Sequence, residues 1–379
     1  MKTLVLLIFL LPILSFAQVV DFYVKPVNTN PGYASDEDSS YVLFNNTSPN
    51  NRLVLFFGGT GSSPDAYGAF LPYCAELGFH VISLSYLNSV AAASLSSSTD
   101  EYAFDNYRQE ICFGTPASAA VDVDTLNSVF TRATNLLNYL NTTYPSDGWD
   151  NYLSGSEIDW TNIVVCGHSQ GSGHAPYLAR TYAVDRVIMF AGPNDYSDHF
   201  TASANWMETI GITPAFKHFS YCSLLDEVVD YEKQFSNAST MGLLALKDSI
   251  HVDNNSAPFN NSHILYTTQT PGFAILYHNS PTKNSVKNKE VWDYMLLTEN
   301  LSFDEDELEL LEFYPNPAND VLYIQSPIED SNYKIFTMSG KLVQEGSISS
   351  DTPSIQVGSL CKGMHILRIG EFTAKFLVD

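Results

Sequence analysis

The chain has 379 residues, 45% of them hydrophobic and 16% charged, so it has ample apolar surface for a buried core and is not a disordered chain. Forty-two acidic residues against 18 basic ones give a formal charge of −24. That balance excludes nucleic-acid binding and docking on anionic lipid, because both need a dense positive surface.

The chain opens on Met1-Lys2-Thr3, an apolar run over residues 4–14, and Ser15-Phe16-Ala17 before Gln18. One basic residue, a short apolar stretch and a small-x-small site predict a secretory signal peptide over residues 1–17, cleaved after Ala17. The run is shorter than the ~20 residues that span a bilayer, so no stable membrane span is expected. Five cysteines (Cys74, Cys112, Cys166, Cys222 and Cys361) lie far apart with no CxxC pair. A zinc site is therefore not expected, nor is any other metal or cofactor. In an exported protein one or two disulfides could form, with at least one thiol left over. Cys166, in an apolar run, reads as a small core residue.

From residue 52 to about 300, β-type apolar runs alternate with helical patterns. Residues 52–57 (RLVLFF) predict a buried strand, 65–78 a helix ending on glycine, and 79–86 (FHVISLSY) a second strand. Residues 87–116 are polar, serine-rich and spotted with aromatics. They interrupt the rhythm as a cap over a pocket would, with Tyr102, Phe104, Tyr107 and Phe113 either walling that pocket or forming the cap's own core. Residues 121–140 predict a long amphipathic helix. A strand over 162–167, a helix over 172–183, strands over 186–190, 217–221 and 263–268, and a closing helix over 288–301 follow. This is the pattern of an α/β domain with a mostly parallel sheet flanked by helices, assigned here to residues 18–300. Between Glu299 and Glu312 there are seven acidic residues and no basic one, which predicts an acidic linker over 301–312. Residues 313–379 read as short strands punctuated by Gly, Asn, Ser and Pro, a small all-β sandwich domain.

Gly167-His168-Ser169-Gln170-Gly171 has the form G-x-S-x-G and sits directly after a predicted strand and before a predicted helix. In that context the serine occupies a strained turn that pushes its hydroxyl out at the end of the sheet. A serine hydroxyl is scarcely nucleophilic at neutral pH and needs a base oriented by a carboxylate. In this chain order the acid follows the serine and the histidine comes last. Asp226 is the favoured acid and Asp195 its rival. His278 is the favoured base. His263 opens a strand and is read as structural, His251 precedes it in a polar segment, and His168 and His174 are read as lining the site or packing against it. The oxyanion would be bound by the N–H groups of Gln170 and of Thr60, in the loop Gly58-Gly59-Thr60-Gly61, with Gly61 the alternative to Thr60. The lysine and following Ser/Thr of a phosphate-binding P-loop are missing from that loop.

These residues resemble the α/β-hydrolase superfamily over about residues 50–300. The stretch from Gly167 to Ala175 (GHSQGSGHA), RVIMFAGPND over 186–195, and His278-Asn279-Ser280 followed by VWDYML over 291–296 are similar to a poorly characterised group of secreted bacterial α/β-hydrolases. The resemblance implies a Ser–Asp–His triad and hence an exported serine hydrolase. The expected substrate is a small-molecule or polymeric carboxylic ester. Alternatives are an amidase, peptidase or polymer depolymerase with the same triad, or a non-catalytic surface-binding protein on a hydrolase scaffold. At the C-terminus, YPNPAND over 314–320, IFTMSGK over 335–341 and Lys362-Gly363-Met364 resemble the sorting domain of the Bacteroidetes type IX secretion system. That resemblance implies the secretion machinery as a partner, and a secreted or cell-surface location reached through the periplasm.

Overall fold

Consecutive side chains of a strand point to opposite faces, so a continuous apolar run fits only a sheet covered on both sides. The computed structural model, which describes residues 19–379 except 35–37, 210, 274, 299–311, 326–329, 338–340, 352 and 371, has such a sheet. Its strands in chain order are β1 (Val19–Val24), β2 (Ser40–Asn45), β3 (Leu53–Phe57), β4 (His80–Leu84), β5 (Ile163–His168), β6 (Arg186–Phe190), β7 (His218–Ser223), β8 (Ile250–His251) and β9 (Ile264–Thr267). Among the described residues they form one nine-stranded sheet of order β1-β2-β4-β3-β5-β6-β7-β9-β8. Every pairing from β4 to β8 is parallel, and the β1–β2 and β2–β4 pairings are antiparallel.

The pleat divides the core in two. Leu53, Leu55, Phe57, Ile163 and Val165 join one apolar cluster, while Val54, Phe56, Val164 and Cys166 join the other. The first cluster is covered by α2 (Ala103–Phe113), α3 (Val129–Thr143) and α4 (Gly171–Ala179). The second is covered by α1 (Phe70–Glu76) and the closing helix, α6 (Val286–Leu297), through Phe70, Leu71, Cys74, Val291, Trp292 and Met295. Between them in sequence, α5 (Tyr231–Thr240) follows β7.

Several expectations are corrected. β1 and β2 precede the first predicted strand; they extend the sheet on its antiparallel side. The helix expected over 121–140 starts only at Val129, because Ser128 caps it by accepting the Thr131 N–H. The residues before it are instead drawn onto the Glu110 carboxylate, which accepts N–H bonds from Ala117, Ser118 and Val123. The helix expected over 65–78 is confined to α1. The 87–116 segment contains α2, whose Phe104 and Tyr107 are buried in the main core; Phe113 packs on Phe130, Tyr177 and Tyr182. Phe104 and Tyr107 thus belong to the core of the domain body, and Phe113 lines a cavity with Tyr177 and Arg180. None of the five cysteines is disulfide-bonded: four are buried in the body and Cys361 is exposed.

The C-terminal region is antiparallel β. Strands at Phe313–Tyr314, Val321–Ile324 and Ser354–Gln356 form a three-stranded sheet; Ser331–Thr337, Leu342–Ile348, Gly363–Ile369 and Phe372–Val378 form a four-stranded one. Leu322, Ile324 and Ile355 from the first sheet share a core with Ile335, Leu367, Ile369 and Phe376 from the second. The expected signal peptide and nearly all of the expected acidic linker lie outside the described residues.

Candidate active site

The end of β5 runs directly into α4, and the turn between them is forced by its glycines. A Cβ on Gly167 would lie 2.0 Å from the Gly171 carbonyl oxygen, and one on Gly171 would lie 2.0 Å from the Phe57 carbonyl oxygen. Both distances are far inside van der Waals contact, so only glycine permits this strand–helix approach. Ser169, between them, has φ +53° and is held by its N–H bond to the Phe190 carbonyl, 2.9 Å. A non-glycine residue in the left-handed region stores local strain, which the surrounding β5 and β6 backbone sustains.

Ser169 lines a cavity of about 290 Å³ together with His278, Thr60, Gln170, His168 and Asn194. His278 stands in a short 3₁₀ turn after β9, and Asp226 in the loop after the neighbouring strand β7. Their side chains meet: His278 Nδ1 is 2.7 Å from Asp226 Oδ2, with both residues buried. Burial works to raise the Asp226 pKa, but the His278 hydrogen bond and charge and the N–H groups of Val229 and Val228 outweigh it and hold the carboxyl below its usual value. An ionised Asp226 accepts the Nδ1–H of His278, leaving Nε2 as the imidazole's free acceptor. Glu227 clasps the same loop from outside, accepting the Tyr277 N–H at 3.0 Å and the His278 N–H at 3.1 Å.

Asp195 lies elsewhere. Arg108 from α2 grips it at two points, Nε–Oδ2 2.8 Å and Nη2–Oδ1 2.6 Å, and Trp206 Nε1 donates to it at 2.9 Å. Both of its oxygens are paired with Arg108 or Trp206 and its side chain is fully buried, and no hydrogen bond joins it to His278 among the described residues. Arg108 also donates to the Gln170 carbonyl at 2.7 Å, from beneath the turn.

Of the amides 59 to 61, Gly59 donates to Tyr67 Oη (2.7 Å) and Gly61 to the Asn88 carbonyl (3.1 Å), while the Thr60 N–H has no hydrogen bond among the described residues. The Gln170 N–H likewise has none there. Thr60 Oγ1 donates to Gln170 Oε1 at 2.6 Å and so ties the two segments together. Gln170 Nε2 and Asn194 Oδ1 are buried without partners among the described residues, although both residues line the cavity. Buried polar groups seldom stay unpaired, so both atoms mark unmet hydrogen-bonding capacity in residues of the wall.

His168 bridges the two halves of the site. Its Nε2 is 3.1 Å from the His278 carbonyl oxygen, which can only accept, so Nε2 carries the proton. Nδ1 therefore accepts from Tyr67 O–H, 3.2 Å away. Burial and the neighbouring His278 push the His168 pKa down to about 3, which keeps the ring neutral. His174 is buried beside Arg108 and Cys112, away from the cavity lining. His263 packs on Phe219 and bonds the His218 carbonyl, and His251 pairs with Asp253.

Sequence reasoning missed Arg108, Tyr67, Glu227 and Asn194. Arg108 had a signal, being the only Lys or Arg between Arg52 and Arg132. Of the segment 87–116, Ala91, Ala92 and Ala93 reach the cavity. Among the described residues, no group of three His, Cys, Asp or Glu side chains is arranged to hold a metal ion, and no helix is long and apolar enough to cross a membrane.

No curated protein matches this chain. Residues 312–377 match the family described as the secretion system C-terminal sorting domain. The chain therefore ends in a type IX sorting domain that engages the type IX secretion machinery, and the protein is secreted or cell-surface, exported via the periplasm.

Proposed function

We propose that the large domain is a serine hydrolase of the α/β-hydrolase type that cleaves carboxylic esters. The observation that carries this reading is the cavity shared by Ser169, strained on its turn, and His278, whose far ring nitrogen is bonded to Asp226. In this mechanism His278 Nε2 takes the Ser169 proton as Oγ attacks the ester carbonyl. The N–H groups of Thr60 and Gln170 bind the developing oxyanion. The tetrahedral intermediate collapses, the C–O bond to the alcohol breaks, and His278 returns the proton to the departing alkoxide. Water then attacks the acyl-enzyme by the same proton path and releases the carboxylic acid. Asp226 remains ionised, fixing the tautomer and stabilising the imidazolium. Each oxyanion donor contributes about 3 kcal/mol to the transition state.

A fluorophosphonate probe tests this reading. It labels the folded full-length chain, and Ser169→Ala abolishes the labelling. A wild-type protein that is folded yet unlabelled, and that turns over no p-nitrophenyl ester, refutes it. A panel of esters and matched anilides then separates esterase from amidase activity.

A further inference from the structure

Six of the exposed large apolar side chains lie in the two short segments that carry Asp226 and lead into His278. Leu224, Leu225 and Val228 stand exposed around Asp226, and Phe273, Ile275 and Leu276 stand exposed just before His278; Phe273 is fully exposed, at 102%. The two loops leave adjacent parallel strands, with Ser223 paired to Thr267, and Glu227 joins them by accepting the N–H groups of Tyr277 and His278. Val228 belongs both to this exposed set and to the cavity wall, and so connects the rim to the cavity of Ser169.

A concentrated exposed apolar patch marks something that covers it. The charge of −24 sets the choice of occupant. It opposes pairing with a second copy of the same chain and opposes an anionic lipid surface, but leaves an uncharged apolar phase unopposed. Continuity with the cavity makes that phase the substrate's own.

We propose that the rim formed by Leu224, Leu225, Val228, Phe273, Ile275 and Leu276 docks the enzyme onto a water-insoluble, uncharged ester phase, from which an ester passes over Val228 to Ser169. The proposal rests on the hydrolase reading for its last step only. Docking itself is a property of the rim.

Tributyrin, dissolved and then dispersed as droplets, tests it. The wild-type rate should rise out of proportion once droplets form. The double variant Phe273→Ser/Ile275→Ser should lose droplet turnover on the order of tenfold, the effect of withdrawing two apolar side chains from an interface. Its hydrolysis of dissolved p-nitrophenyl acetate should stay within about twofold, because neither side chain lines the cavity. A single saturation curve through the solubility limit, or an unchanged droplet rate in the variant, overturns the proposal. Flotation with tributyrin droplets separates the two readings. Ser169→Ala should float with the droplets, and the same chain carrying Phe273→Ser/Ile275→Ser should not. If neither ester is turned over but flotation behaves as expected, the hydrolase reading fails and the docking surface stands. If Ser169→Ala does not float, the docking surface is refuted.

Discussion

Arg108 and Asp195 form a two-point ion pair, 2.8 and 2.6 Å, with both side chains fully withdrawn from water. The pair holds α2 against the loop after β6, and the same guanidinium holds the Gln170 carbonyl. Removing one partner leaves the other charge buried and unpaired, which costs about 3–5 kcal/mol. Asp195→Ala should therefore lower the denaturation midpoint strongly in a chemical melt. A midpoint near wild type would show that the pair is not a structural clamp.

Asp226→Asn should act on turnover far more than on stability. The amide oxygen can still accept the Val228 and Val229 N–H groups, but the amide NH2 would face Gln234 Nε2, which donates to Oδ2 at 2.9 Å, so stability should fall by about 1–3 kcal/mol. The substitution favours the wrong imidazole tautomer, and turnover should fall about 10⁴-fold. If Asp226→Asn keeps its activity while Asp195→Asn loses it without unfolding, the acid has been assigned to the wrong carboxylate.

Tyr67 and His168 link the loop that offers Thr60 to the loop that carries His278. In Tyr67→Phe the Gly59 N–H loses its acceptor and His168 Nδ1 loses its donor. A buried group left unpaired costs about 1–3 kcal/mol. Because the disturbance falls on the oxyanion loop and base loop, it should appear mainly in kcat, with KM changed less. A variant altered only in thermal stability, with unchanged kcat, would count against this positioning role.

Asn194 lines the cavity, and its carbonyl oxygen is buried without a partner among the described residues. If a substrate donor engages it, Asn194→Ala should raise KM severalfold with little change in kcat, since uniform binding is lost without loss of transition-state stabilisation. Steady-state kinetics on an ester bearing a hydroxyl near the carbonyl, compared with its deoxy analogue, checks this. Equal effects on both esters would mean that the oxygen does not contact substrate.

Acid should weaken the fold through its buried histidines. Burial lowers the pKa of His168 to about 3 and those of His218 and His263 to about 4, against 6.5 when exposed. These groups bind protons more readily when unfolded, so their contribution is complete above pH 6.5. It is lost as pH falls towards 4, at roughly 1.4 kcal/mol per pH unit per histidine. The melting temperature should fall over that window, and His263→Gln should flatten the slope. A melting temperature independent of pH between 6.5 and 4 would contradict this.

What could be read from the chain alone was what short-range sterics and pattern determine. The glycines at 167 and 171 confine Ser169 to a strand–helix turn because a Cβ at either position collides with backbone nearby or on the adjacent strand. Continuous apolar runs such as residues 53–57 must lie inside a doubly covered sheet. The alternating strands after residue 312, with their YPNPAND and IFTMSGK motifs, pointed to the sorting tail that the family match then identified. What only the tertiary structure decided was which distant groups share a charge or a proton. Asp195 and Asp226 both follow parallel strands, and the sequence separated them only by chain order, which favoured Asp226. They differ because Arg108, 87 residues before Asp195, neutralises one, while His278, 52 residues after Asp226, meets the other. The start of α3 likewise depends on Ser128 and on the Glu110 carboxylate gathering the backbone before it, a contact no local periodicity encodes.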